Sequence, residues 1–332
     1  MRTIIVPHAS SSRIARASVA VTVGSATRIT RWLPPKAALW MLDLAAPLAL
    51  FTIVIYWLVA IMAGFGLVLF GLGDRGQTVG FAFAWHGPTT AVLVLGAISV
   101  SLVLVAFGAH LVRLTEAYSR RERLVNSLAA RASTPLDADQ LLADHLRGGS
   151  RDNLDLLFRS WLDWVADVHA THVGYPVLVY YRSACRLAWV EAAVIVMDAA
   201  ALVTTLAPKW APPHARVLLD GGSACIRDLA ERAGVRLPVG TNTVSLHGRE
   251  ERAFGDTVLM AVRAGLPEER NRSQAWDIFQ AERTRYAPYA AQLGARLQYD
   301  RVAVARGRSL LRLSSRRNPQ SISWDDLDGS VE

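Results

Sequence analysis

Lysine is almost missing from this chain: Lys36 and Lys209 are the only two in 332 residues, so the net charge of +8 rests on arginine. Charge of either sign is sparse, 19% of residues against 52% hydrophobic, and long stretches carry almost none. That unevenness excludes one ordinary soluble domain and points to a membrane protein. Arginine kept on the cytoplasmic side of a bilayer accounts for the basic balance, and no basic stripe interleaved with aromatics argues for nucleic acid. Cysteine is scarce as well. Cys185 and Cys225 have neither metal-ligand spacing nor the density of a disulfide scaffold, and both are expected as reduced, passive thiols in a cytoplasmic domain. Phosphate-cradling glycine loops, dinucleotide fingerprints, a G-x-S-x-G elbow and an H-E-x-x-H pair are all lacking. No enzyme, cofactor or metal is therefore expected. A cleavable signal peptide is not expected either, because the apolar stretch 17–23 among Arg2, Arg13, Arg16, Arg28 and Arg31 is too short.

What the chain does have is two long apolar runs. Residues 37–73 contain one charged residue, Asp43, and exceed the length needed to cross a hydrocarbon core of about 30 Å. Pro47 offers a division into an interfacial helix over about 37–46 and a span over about 48–70. The second run, about 90–111, ends at His110 and Arg113. Arginines precede the first span and Arg113, Arg120, Arg121 and Arg123 follow the second, while the loop between holds only Arg75 and Asp74. Both termini should therefore be cytoplasmic, and the preference for arginine over lysine resembles that of a high-GC bacterial genome, so the expected membrane is a bacterial inner membrane. A third apolar run, 187–207, carries Glu191 and Asp198 on one helical face, each costing about 2.5–3.5 kcal/mol at mid-bilayer if unpaired. It reads as the buried core helix of a soluble domain.

The expected fold class is all-α: a basic segment over 1–36, a membrane region over 37–112, a helical cytoplasmic domain over 113–313 and a disordered tail over 314–332. Within the domain, Leu154, Leu157, Phe158, Trp161, Trp164, Val165 and Val168 recur at three-and-four spacing, the mark of an amphipathic helix. Further helices are expected over about 216–233, 248–264 and 272–306.

Candidate chemistry is thin. His169 and His172 sit near Asp163 and Asp167, but Asp167 lies about 200° around the helix from His169, and the histidines continue the apolar stripe of Val165 and Val168. Core or interface packing is the expectation, with metal-dependent catalysis as a low-weight third reading. Glu191 and Asp198 are about 10 Å apart along their helix without a nucleophile, which suits structural pairing with buried arginines.

The loop between the spans contains Thr78-Val79-Gly80-Phe81. A potassium filter presents backbone carbonyls from an extended T-V-G-Y/F-G-D strand, where glycine permits the required backbone angles. Here Ala82 and Phe83 stand where the second glycine and the aspartate would be, and residues 71–77 leave no room for a pore helix unless the first span ends near Met62 and residues 64–73 re-enter. The tetrapeptide reads either as a relic of a filter or as a coincidence of composition.

Two further motifs stand out: "YSRRE", residues 118–122, and "HVGYPVLVYYRS", residues 172–183. Together with the order of spans and the Pro-Thr-Thr before the second, they make the chain over roughly 48–237 resemble the two-span potassium channel-like membrane proteins of actinobacteria. The match runs through His172, Tyr175, Pro176, Val177, Leu178, Tyr180, Arg182 and Ser183. The resemblance implies a homo-oligomer, a tetramer or dimer, and a pore for potassium ion. Only Thr78, Val79, Gly80 and Phe81 carry over from the filter, so the expectation is a degraded, non-conducting pore with a regulatory or scaffolding domain. A cation channel of reduced selectivity is the alternative. In the cytoplasmic motif, Pro176 starts an element, the tyrosines supply packing area, and Arg182 is expected to pair with Glu191 or Asp198.

Overall fold

The computed structural model describes residues 35–72, 87–131, 138–148, 150–183, 187–237 and 249–297. The filter-like Thr78, Val79, Gly80 and Phe81, Cys185, the segment 1–34 and the tail 314–332 lie outside the described residues. Every regular element among the described residues is helical: α1 Pro35–Leu72, α2 Gly87–Arg131, α3 Ala138–Gly148, α4 Arg151–Gly174, a 3-10 turn Pro176–Tyr180, α5 Trp189–Leu206, α6 Pro213–Arg232, α7 Arg249–Arg263, α8 Arg272–Thr284 and α9 Ala287–Arg296.

α1 and α2 form an antiparallel hairpin, with Phe51 edge-on to Phe107 at 5.9 Å and Phe65 against Gly96. A Cβ at Gly96 would meet the Phe65 ring at 3.3 Å, so the glycine sets how closely the helices approach. At Pro47, where a division is expected, α1 runs through without a break, and its apolar window begins at that proline. A proline removes one backbone donor, which a helix in apolar surroundings accommodates by local adjustment instead of ending. Most large side chains of the pair, Phe70 and Val105 among them, are exposed, and neither apolar window is buried by protein.

α2 changes character along its length without interruption. Beyond its apolar part, Leu114, Ala117, Arg121, Val125 and Leu128 are buried at helical spacing and face the core of the second half of the chain. That core is organised around α5, apolar on all sides, 89% of whose length is buried. α4, α6, α8, α3 and α9 pack around it. Small residues make the packing close: a Cβ at Gly222 of α6 would come within 2.7 Å of the Met197 sulfur on α5.

The helix expected over 272–306 is divided into α8 and α9. Pro288 cannot continue a helix across the preceding turn but suits the first positions of a new one. Between the two helices Tyr286 is fully buried, and its hydroxyl donates to Asp198 at 2.5 Å. Burial, followed by the charge of Asp198, holds the Tyr286 phenol well above its usual range.

Candidate functional site

The 3-10 turn explains where the buried polar groups gather. Pro176 opens it, and its tight geometry directs the carbonyls of Leu178 and Tyr181 towards α2. Arg121, fully buried on α2, donates to both: Nη1 to the Leu178 carbonyl at 3.0 Å and Nη2 to the Tyr181 carbonyl at 2.9 Å. Its Nε and Nη2 also donate to Glu122 Oε1 at 3.0 and 2.9 Å, and Nη1 lies 3.4 Å from His172 Nε2. The rings of Tyr118 and Trp189 cover the guanidinium at 5.1 and 5.5 Å. A planar guanidinium with a fixed fork of five N–H groups fits this set of acceptors; a lysine would not.

His172 is held as the neutral tautomer that this network needs. Its Nδ1 faces the Val168 carbonyl at 2.8 Å and so carries the proton, leaving Nε2 as acceptor for Arg121. Burial first, then the Arg121 charge beside it, pushes its pKa down to about 3. The connection continues into α5: Ser183 Oγ donates to Glu122 Oε1 at 3.2 Å and accepts from the Trp189 backbone N–H, the first of that helix, at 3.1 Å. From α4, Trp164 Nε1 donates to the Arg121 carbonyl at 2.9 Å. One ion pair thus touches α2, α4, the 3-10 turn and the start of α5. On its outer side, Val177 and Leu178 pack with Ala49 and Leu50 of α1 and Leu114 and Ala117 of α2.

The structure distributes the sequence candidates unevenly. His172 and Ser183 lie in this node, and Tyr175 and Pro176 border it. Arg182 contributes its carbonyl, which accepts from Tyr118 Oη at 3.0 Å. Glu191 sits in the first turn of α5, with Oε2 3.4 Å from the Ala188 N–H. Asp198 is elsewhere, on the far half of α5, where it pairs with Arg283 at 3.0 Å and Tyr286. Of the two acids expected for Arg182, Glu191 or Asp198, Asp198 is occupied by residues of α8 and its C-terminal turn. Sequence reasoning missed Arg121 and Glu122 as the centre, although both stand in the quoted YSRRE.

His169 does not converge with His172. It faces outward to Asp228 Oδ2 at 2.9 Å, an oxygen that also receives Arg232 Nε at 2.7 Å. Burial alone would raise the Asp228 pKa; the hydrogen bonds from Arg232 and His169 outweigh it and hold the carboxyl below its usual value. Asp155 plays a similar bridging part, accepting from the His214 backbone N–H at 3.1 Å and lying 2.7 Å from its Nδ1. Among the described residues no group of three His, Cys, Asp or Glu is placed to hold a metal. The remaining thiol, Cys225, is buried, which pushes its pKa up to about 12. The Arg121 guanidinium is saturated and enclosed, an arrangement suited to fixing helices relative to one another, while Glu122 Oε2 and Trp189 Nε1 are buried beside it without a hydrogen-bond partner. No family model matches the chain, and no curated protein or solved structure is significantly similar to it.

Proposed function

We propose that this chain is a bacterial inner-membrane protein with two spans, α1 and α2, and that α3 to α9 form a cytoplasmic regulatory or scaffolding domain without catalytic activity. The observation that carries the reading is the contrast among the three long apolar helices. The windows in α1 and α2 have mean hydropathy 2.5 and 2.6 and are 0% buried, whereas α5, at 1.7, is 89% buried. An apolar helix needs either lipid or protein around it. α5 already has protein, so only α1 and α2 call for lipid. The arginine-rich flanks put both termini in the cytoplasm. Because α2 passes without a break from the apolar run into the Arg121 node, any change in the second span's position is delivered to the domain.

The resemblance to two-span potassium channel-like proteins supplies the second part of the proposal: a homo-oligomer whose pore has lost its second filter glycine and its aspartate and does not conduct. Potassium and sodium flux into liposomes carrying the purified chain tests this. No flux above empty liposomes is expected, and robust potassium-selective flux abolished by Gly80→Asp would overturn it. A reporter fused after Glu332 should report cytoplasm; a periplasmic signal would mean that α5 crosses the membrane after all.

A further inference from the structure

The register between α4 and α6 fixes which end of the domain meets the membrane. Asp155 meets His214, Val165 meets Cys225 and His169 meets Asp228, a nearly constant offset, so the two helices run parallel and finish at the same level. α4 finishes where Tyr175 lies against His110 of α2, ring centroids 5.2 Å apart. The 3-10 turn that follows packs on Ala49 and Leu50, just inside the start of the apolar window of α1 at Pro47, and on Leu114, beside the Arg113 that closes the apolar run of α2. On the two-span reading, on which this inference rests, that level is the cytoplasmic boundary of the bilayer. Tyr175, Tyr180 and Tyr181 are half-buried there, where tyrosine favours the interface between lipid and water.

Arginines collect at the same level. Past the end of α6 the chain turns at Gly234, φ +80°, towards Arg236. A Cβ at Gly234 would come within 3.3 Å of the Arg296 guanidinium, which brings the end of α9 to this place too. Arg113, Arg236 and Arg296 are exposed and have no ion-pair partner among the described residues. Of the acids at this level, Asp167 and Asp228 are engaged by Arg120 and by His169 with Arg232, while Glu116 and Glu231 are exposed beside the arginines, which outnumber them.

We propose that this end of the domain is a seat for anionic phospholipid headgroups of the cytoplasmic leaflet, with Arg113, Arg236 and Arg296 meeting phosphates and the tyrosines setting the depth. The surface is continuous with the lipid-facing sides of α1 and α2 and carries the charge opposite to such lipids.

The test uses the full chain in membranes of phosphatidylcholine mixed with phosphatidylglycerol, followed by analysis of the lipids retained on the purified protein. Several-fold enrichment of phosphatidylglycerol over its bulk fraction is expected, falling to the bulk fraction in the variant Arg113→Gln/Arg236→Gln/Arg296→Gln and in high salt. Arg159→Gln/Arg216→Gln, which removes exposed arginines from the middle and start of α4 and α6, should keep the enrichment. Alkaline extraction separates the two failures. A chain released by alkali would sink the two-span reading; one that stays embedded yet shows no enrichment, or loses it equally in both variants, overturns the headgroup seat alone. Binding of single-stranded RNA through the same arginines without a lipid preference would also overturn it.

Discussion

Acidification should weaken the fold through one imidazole. In the unfolded chain His172 titrates at 6.5, while in the folded protein its pKa is lowered to about 3, first by burial and then by the Arg121 charge. Between those values the unfolded state binds a proton that the folded state refuses. Stability from this group is complete above pH 6.5, declines as pH falls, and is exhausted near pH 3. The slope approaches about 1.4 kcal/mol per pH unit, and across the whole window the loss approaches about 5 kcal/mol. A domain of ordinary stability, roughly 5–15 kcal/mol, would feel this as a large part of its total. Guanidinium titrations of the detergent-solubilised chain at pH 7, 6 and 5 should resolve it. Trp189 is the natural reporter, since its ring lies 5.3 Å from that of His172. His172→Gln removes the titration. The variant should be less stable at pH 7, by about 1–3 kcal/mol for the buried bonds lost, yet its stability should fall less steeply between pH 6 and 5. The other histidines and the carboxylates titrate in both proteins and cancel in the comparison. Parallel pH slopes in the two proteins would refute the reasoning, because they would mean that His172 protonates as readily folded as unfolded.

Other substitutions probe the packing around it. Arg121→Met strands a buried carboxylate and should cost about 3–5 kcal/mol in denaturant titration, whereas Arg121→Met/Glu122→Gln should recover part of that; a double variant no better than the single would show that the carboxylate is not what the arginine satisfies. Gly222→Leu pushes a side chain into Met197 and should lower the unfolding temperature of the domain with a cost of at least about 1–3 kcal/mol, so unchanged melting would mean that α5 and α6 can move apart freely. Tyr286→Phe removes the bond to Asp198 and should cost about 1–3 kcal/mol, read by the same titration. Cys225 should resist iodoacetamide in the native protein and react once unfolded, as mass spectrometry of its peptide would report; rapid native alkylation would contradict its burial and raised pKa.

Much of the helical layout is legible in the residue pattern, because the hydrophobic spacing that defines α4 also decides which of its faces is buried. The uninterrupted apolar run with two acids reads correctly as a helix enclosed by protein: Asp198 does find an arginine and a tyrosine to satisfy it. What the pattern hides is which arginine is special. Arg120, Arg121 and Arg123 are alike as flanking charges after an apolar run, and only the rotation of α2 sends one of them inward. Side-chain pairing between distant segments leaves no periodic trace, so the residue pattern does not single out Arg121. Pro288, inside the helix expected over 272–306, opens α9 instead, while α1 continues through Pro47. Pro47 and Pro288 look equivalent in sequence, but apolar surroundings and continued packing let α1 continue through the first, whereas the buried Tyr286 anchors a turn just before the second.

The 45-residue length of α2 has a mechanical side. A straight helix of that size is about 67 Å long. On the proposed two-span reading it pivots near the middle of the bilayer and, clamped through Arg121 and Glu122 to three other elements, is a lever whose outer arm is the domain itself. A tilt of only 5° at the pivot would carry its far end sideways by roughly 4 Å over an arm of about 45 Å. On the same reading, small adjustments of the second span to membrane thickness or tension become displacements of the helical domain as large as a side chain.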